Sequence, residues 1–251
     1  MEKRRELNDF QLRNIRLFTY LFEHEAMSDE VTDLINQQEI DYFSLLNKIT
    51  NLENKVNVDE KTNLLKYKND YLTNIIKTAS RVYSNMQKAK YHVSFIRFDI
   101  DDFSKFNNQY GHDIGDKILV KIADTIRTNS RPTDYTIRFG GEEFDVILPA
   151  TDAKGVQVYC NKIFKLIRKI RVPYGKSKLS VTVSAGTTTT LYTFNNEVFL
   201  KDTEIKRNFS KLQKEADHAL YEAKSTGKDR WCTYDKKKAS AYIKYRQSYK
   251  K

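Results

Sequence analysis

The chain has 251 residues and a formal net charge of +11, long enough for one domain with a sizeable core and an accessory segment. With 39% aliphatic, aromatic or sulfur-containing residues, including 16 tyrosines and 14 phenylalanines, it holds too much apolar material to be a disordered chain. No run approaches the roughly 18 to 20 apolar residues that span a bilayer, and Met1-Glu2-Lys3-Arg4-Arg5-Glu6 lacks the apolar core of a signal peptide, so a cytoplasmic protein without a membrane span is expected. The charge points to a polyanionic partner, whether nucleoside triphosphate, nucleic acid or a membrane surface, or else to a solvated basic surface. Cys160 and Cys232 are the only cysteines, and their separation suits neither a metal pair nor a redox pair.

Near the start, Leu7, Phe10, Ile15, Phe18, Leu21 and Phe22 predict a helix, and Ser28-Asp29-Glu30 has the chemistry of a second helix start. From Val31, the residues Ile35, Gln38, Tyr42, Leu45, Ile49, Leu52 and Val56 follow in alternating steps of four and three. That spacing fits either the seam of a coiled coil or an amphipathic helix packed on its own domain. Residues 1–58 are therefore expected to form a helical segment.

From Asp59 the pattern changes to alternating helices and strands. Helical periodicity runs over 67–88, 114–127, 156–170 and 209–224, and β-rich runs cover 92–98, 135–139, 144–148, 179–188 and 230–234. The two runs flanking Gly140-Gly141-Glu142-Glu143 read as a β-hairpin. The order predicts an α/β (α+β) domain over 59–235, with a central mixed sheet surrounded by helices. The remaining tail, 236–251, holds seven Lys or Arg and places Tyr242, Tyr245 and Tyr249 on one possible helical face; it is expected to fray or to pack on the domain.

Two adjacent glycines at a tight turn permit positive φ and close approach of a ligand to the main chain. A hairpin needs glycine for its turn but gains nothing from two neighbouring carboxylates that repel each other. Asp99-Ile100-Asp101-Asp102 ends the first strand of the domain with three acids in four residues. Such acids are often solvated loop residues, but a hairpin carrying Glu142 and Glu143 can pair beside this strand. The combined cluster then calls for a cation, and hard oxygen ligands beside substrate phosphates suit Mg²⁺ or Mn²⁺. Nucleotidyl transfer with two metals is the leading chemistry.

At this point the sequence resembles the GGDEF family of diguanylate cyclases over about 59–234. The motifs occur in the family's order: Asp59-Glu60-Lys61-Thr62-Asn63-Leu64; Asp99-Ile100-Asp101-Asp102-Phe103 with Asn107; Gly111-His112-Asp113-Ile114-Gly115-Asp116; and Arg138-Phe139-Gly140-Gly141-Glu142-Glu143-Phe144. Thr182-Val183-Ser184-Ala185-Gly186 and Ala216-Asp217-His218-Ala219-Leu220-Tyr221-Glu222-Ala223-Lys224 follow. One such motif recurs by chance; six in order do not.

The resemblance implies a palm-like nucleotidyl-cyclase fold and the condensation of two GTP into the second messenger cyclic di-GMP, across a homodimer. It implies that Asp99, the Ile100 carbonyl, Glu142 and Glu143 hold two Mg²⁺ or Mn²⁺ ions per half-site, with Glu142, Glu143 and Asp99 as the catalytic carboxylates. Asn107 and Asp116 correspond to the guanine readers, and His112, Gly140 and Gly141 to the remaining substrate contacts. Lys224 and Lys228, placed one helical turn apart, would hold the β- and γ-phosphates, with main-chain amides of Phe103 and Ser104 completing the cradle. Arg131-Pro132-Thr133-Asp134 has the form and offset of the family's product-binding inhibitory site, so Arg131 and Asp134 are assigned to feedback binding of cyclic di-GMP.

The chain departs from the family pattern at Ser104, where lysine is usual; at Lys66 and Tyr67; at Asn108; and at Asp145, where a small or apolar residue is preferred. Of these, Ser104 and Asp145 leave open a catalytically silent GGDEF domain that senses GTP or cyclic di-GMP, although Glu142, Glu143 and Asp99 are intact. The basic tail and the net charge alone would suggest a nucleic-acid-binding protein, the less favoured partner class.

Overall fold

The computed structural model describes residues 57–83, 89–194 and 201–249, together with scattered positions between 16 and 45. The chain separates into two compact units, Met1–Val56 and Asn57–Lys251.

In the first unit the described positions are helical apart from Ser28. Ser28 Oγ accepts from the Val31 N–H at 3.2 Å, the hydroxyl cap that its chemistry predicts. Of the heptad positions, Val31, Gln38 and Leu45 are described and helical; Ile35, Tyr42, Ile49, Leu52 and Val56 lie outside the described residues, as does most of the earlier apolar cluster.

The second unit begins with the short strand β1 (Leu65–Lys66) and helix α1 (Tyr71–Val82), followed by β2 (Ala89–Ile100), α2 (Phe103–Tyr110) and α3 (His112–Thr128). The hairpin β3 (Tyr135–Arg138) and β4 (Glu143–Pro149) leads to α4 (Ala153–Ile167), a small hairpin β5 (Val172–Tyr174) and β6 (Ser177–Leu179), and the long strand β7 (Val183–Phe194). Helix α5 (Asp202–Ser225), β8 (Trp231–Thr233), a 3-10 turn (Lys236–Lys238) and α6 (Ala239–Tyr249) complete it. The six-stranded mixed sheet has the order β1-β3-β4-β2-β7-β8, with parallel pairs only at its two edges.

Strand alternation divides the core into two layers. Ile96, Phe98 and Ile100 of β2 join Phe144, Val146 and Leu148 of β4 beneath α3 and α4. Val93, Phe95 and Ile147 point the other way, to α1 and α5. Gly186 lets β7 and α5 approach closely, because a Cβ there would stand 1.9 Å from the Ala216 carbonyl oxygen and 2.3 Å from the Leu220 nitrogen.

Several boundaries differ from the expectation. Helix α1 starts at Tyr71, because Leu65 and Lys66 are drawn into the sheet beside β3. The run expected over 179–188 divides into β6 and β7, separated at 180–182, after a turn whose Gly175 takes φ +56°. Helix α2 was not expected; its Phe103 stacks on Phe106, which packs at a tilt against Tyr110. The tail is not loose: Tyr242 is 1% exposed and packs against the rings of His218 and Tyr234, at 5.4 and 5.3 Å, in a three-ring cluster. Its hydroxyl accepts from the Asp235 N–H at 2.8 Å.

Candidate active site

Asp99 is the penultimate residue of β2, and Glu143 is the first of β4. The two strands run antiparallel with Asp99 directly opposite Glu143, so both side chains leave the same face of the sheet. The turn between β3 and β4 brings Glu142 beside them, and its carbonyl oxygen accepts from the Ile100 N–H at 3.3 Å. Burial raises the Asp99 pKa to about 6; Lys224 opposes the shift, while Glu142 and Glu143 add to it. Glu142 is also pushed up, by burial and by Glu143, against the pull of Lys224 and Arg138. Three crowded carboxylates, one of them with a buried oxygen, Asp99 Oδ1, that has no hydrogen-bond partner, form a donor set suited to a hard divalent cation. Among the described residues no set of three or more such side chains already stands arranged around a metal position, and the Lys224 ammonium is bonded to Asp99 Oδ2 at 2.6 Å.

Gly140 and Gly141 act differently from the expectation. Neither takes positive φ. A Cβ at Gly140 would lie 3.0 Å from Glu143 Oε2, so that the Glu143 carboxylate would have to shift slightly, whereas Gly141 faces open space at the mouth of the turn. Arg138 holds the turn from one side: its Nε donates to the Gly140 carbonyl at 2.5 Å and its Nη2 to the Gly141 carbonyl.

Asp102 takes a left-handed conformation, φ +53°, and starts α2, whose first residues are Phe103 and Ser104. The first-turn amides of such a helix have no intrahelical acceptor and favour anions. Asp101 is structural rather than ligating: its carboxylate accepts from Thr182 Oγ1, Ser184 Oγ and the Asp229 N–H. Lys228 does not sit one helical turn beyond Lys224. Helix α5 ends at Ser225, Lys228 takes φ +59° in the following loop, and its Nζ meets Asp102 Oδ2 at 2.6 Å. Both lysines still flank the strand end.

Asn107 on α2 and Gly115 on α3 face one another across the turn at Gly111. Asn107 Oδ1 is buried without a partner, and a Cβ at Gly115 would fall 1.9 Å from it. Asp116 is bonded to Lys61 at 2.6 Å, and His112 is exposed at the start of α3.

The family model described as "Diguanylate cyclase, GGDEF domain" matches residues 44–230. The chain belongs to the GGDEF family. A Bacillus subtilis protein, YtrP, is 28% identical over 92% of this chain and 33% of its own length. Diguanylate cyclase A of Treponema denticola is 32% identical over 66% of this chain and 41% of its own length. The chain thus spans less than half the length of these relatives. Among solved structures, the GGDEF domain of DgcB from Caulobacter crescentus, in complex with c-di-GMP, matches at 25% identity and TM-score 0.58, covering 71% of this chain and 95% of that one. No helix among the described residues is long and apolar enough to cross a membrane.

At the GGDEF domain's Arg-x-x-Asp segment, the Asp134 carboxylate caps a turn rather than pairing with the guanidinium: its Oδ2 accepts from the Arg131 N–H at 2.7 Å. Its other oxygen is buried and unpartnered, and burial raises its pKa. Arg131 and Asp134 border a cavity of about 370 Å³ also lined by Ser130, Tyr159 and Lys162.

The residue that sequence reasoning missed is Arg97, two positions before Asp99. It is 4% exposed and forms a bidentate pair with Asp145, at 2.7 Å to each oxygen. Asp145, the departure from the family pattern, is therefore compensated across the sheet, where the two residues are register partners.

Proposed function

We propose that this chain condenses two GTP molecules into cyclic di-GMP as a homodimer. The reading rests on the juxtaposition of Asp99, Glu142 and Glu143 at one sheet end, within a chain of the GGDEF family. Asp99, the Ile100 carbonyl, Glu142 and Glu143 would hold two divalent ions per half-site. When bound, Mg²⁺ or Mn²⁺ supplies charge neutralisation at the phosphates and a lowered pKa for the attacking hydroxyl.

The protein's own groups then bind and orient. Asn107 and Asp116 read the guanine edge, the carboxylate accepting from N1–H and the exocyclic amine that adenine does not offer; His112, Gly140 and Gly141 line the approach. The amides of Phe103 and Ser104 face the triphosphate, and Lys224 and Lys228 leave their carboxylate partners for the β- and γ-phosphates. Each 3′-oxygen, losing its proton, bonds to the partner nucleotide's α-phosphorus as the bond to the β-phosphate breaks, so that two pyrophosphates leave. The two domains must face each other about a two-fold axis, and a coiled coil in the N-terminal segment would raise their effective concentration. Arg131 and Asp134 would take cyclic di-GMP as a feedback ligand.

One observation favours the silent sensor instead. Ser104 carries no charge where the family has lysine, and the neighbouring Lys105 is directed at Asp102, at 3.1 Å, rather than at the first turn of α2. Incubation of the full chain with GTP and Mg²⁺, followed by nucleotide separation, decides between the readings: cyclic di-GMP that vanishes in Glu142→Ala supports the cyclase, and unchanged GTP with retained nucleotide binding supports the sensor.

A further inference from the structure

Arg97 stands in a strand where apolar side chains would otherwise be expected. Its Nε and Nη2 are bonded to Asp145 on β4, and its Nη1 reaches Asp217 on α5 at 2.7 Å. Its guanidinium carbon lies 3.7 Å from the ring centroid of Phe139, the residue before Gly140. One side chain therefore connects four parts of the site: the strand that carries Asp99, the strand that begins at Glu143, the glycine turn that carries Glu142, and the helix that carries Lys224 seven residues after Asp217. It lines the same cavity, of about 460 Å³, as Asp99, Glu142, Glu143 and Lys224.

A buried ion pair is seldom more stabilising than well-packed apolar residues of similar volume, although losing one partner is strongly destabilising. Stability alone thus gives no reason for a guanidinium here. Position does. Arg138 holds the turn only by its Gly140 and Gly141 carbonyls, the two glycines offer no side chain that could tie the turn to the sheet or to α5, and α5 must hold Lys224 against the strand end. A planar group with five donors and an aromatic-binding face can satisfy both demands at once.

We propose that Arg97, with Asp145 and Asp217, is a positioning clamp that fixes the glycine turn and α5 relative to Asp99. In this reading the clamp acts by holding those elements, not by contact with substrate. The inference deepens the cyclase reading and rests on it for its kinetic test, while its metal-binding test is independent of turnover.

The experiment compares wild type with Arg97→Leu, with the double variant Arg97→Leu/Asp145→Leu, and with Asp217→Ala. Arg97→Leu alone strands a buried carboxylate and should lower Tm by roughly 10 °C. The double variant should recover most of that loss, yet show kcat for cyclic di-GMP reduced about tenfold or more with KM for GTP changed less than about threefold. Asp217 is partly exposed, so Asp217→Ala should leave Tm within about 2 °C while lowering kcat severalfold. A double variant and an Asp217→Ala variant with wild-type kcat would show the network to be structural only, and overturn the proposal. Should a double variant fail to fold, Asp217→Ala decides. If wild type makes no cyclic di-GMP, the cyclase reading falls and a Mn²⁺ thermal-shift titration decides the clamp. Half-saturating Mn²⁺ raised about tenfold in the variants supports it; an unchanged value, or no Mn²⁺ shift in wild type, overturns it.

Discussion

Lys224 Nζ lies 2.6 Å from Asp99 Oδ2, and both side chains are buried. The ammonium occupies charge space that a divalent cation would claim, and the same ammonium is the proposed phosphate ligand. Replacing it should therefore move two affinities in opposite directions. Lys224→Gln is expected to raise Mn²⁺ affinity in the absence of nucleotide about three- to tenfold, because the metal no longer competes with a fixed cation. The same variant should weaken GTP binding about tenfold or more. Calorimetric titration of each ligand checks the pair; parallel changes would contradict the displacement.

The pH dependence follows from Asp99, whose pKa is raised from 3.8 to about 6. A raised carboxylate binds its proton more tightly when folded, so its contribution is fully present below pH 3.8 and lost as pH rises through about 6. Two pKa units correspond to about 3 kcal/mol. The unfolding free energy of metal-free Asp99→Asn relative to wild type should thus move in the variant's favour by up to about 3 kcal/mol between pH 4 and pH 7. Denaturant titrations at the two pH values measure it, and movement in the other direction would mean that Lys224, not burial, dominates.

The tail offers a test without chemistry. Tyr242 is buried against two rings, and Lys238 Nζ meets the largely buried Glu222 at 2.5 Å. Tyr242→Ala should cost about 3 to 4 kcal/mol, read from the urea midpoint at constant slope. A solvated tail would lose less than 0.5 kcal/mol at that position, on the scale of about ±0.5 kcal/mol for surface changes.

The convergence of Asp99 with Glu142 and Glu143 was legible because it needs only a strand ending in acids and a hairpin returning beside it. Arg97 with Asp145 was not, since the pair is 48 residues apart and each residue alone reads as a charged intruder in an apolar strand. Register created the pairing, and register cannot be read locally. The same holds for Lys61 and Asp116, 55 residues apart. Helix α2 could have been found: Phe103, Phe106 and Tyr110 follow helical spacing, but a polar eight-residue segment between acids and Gly111 resembles a loop. The tail was half legible, its tyrosine face visible in the spacing and its docking partners, His218 and Tyr234, set by the fold.

The last prediction concerns Gly115, which the family pattern places beside the guanine readers and which the structure gives a steric role. A Cβ there would stand 1.9 Å from Asn107 Oδ1 and 3.2 Å from the Phe103 ring. Asn107 must yield, because its amide is the movable end of a side chain while the ring is packed in the core. Gly115 lies within α3 and does not take positive φ, so alanine suits its backbone and even favours the helix by up to about 1 kcal/mol. Gly115→Ala should therefore leave Tm within a few degrees of wild type. Moving the Asn107 amide, however, should raise KM for GTP about tenfold, with a smaller effect on kcat, because guanine binding is lost in ground and transition states alike. Steady-state kinetics beside a melting curve separates this from general damage: a fall in Tm with unchanged KM would mean that Asn107 does not face the base.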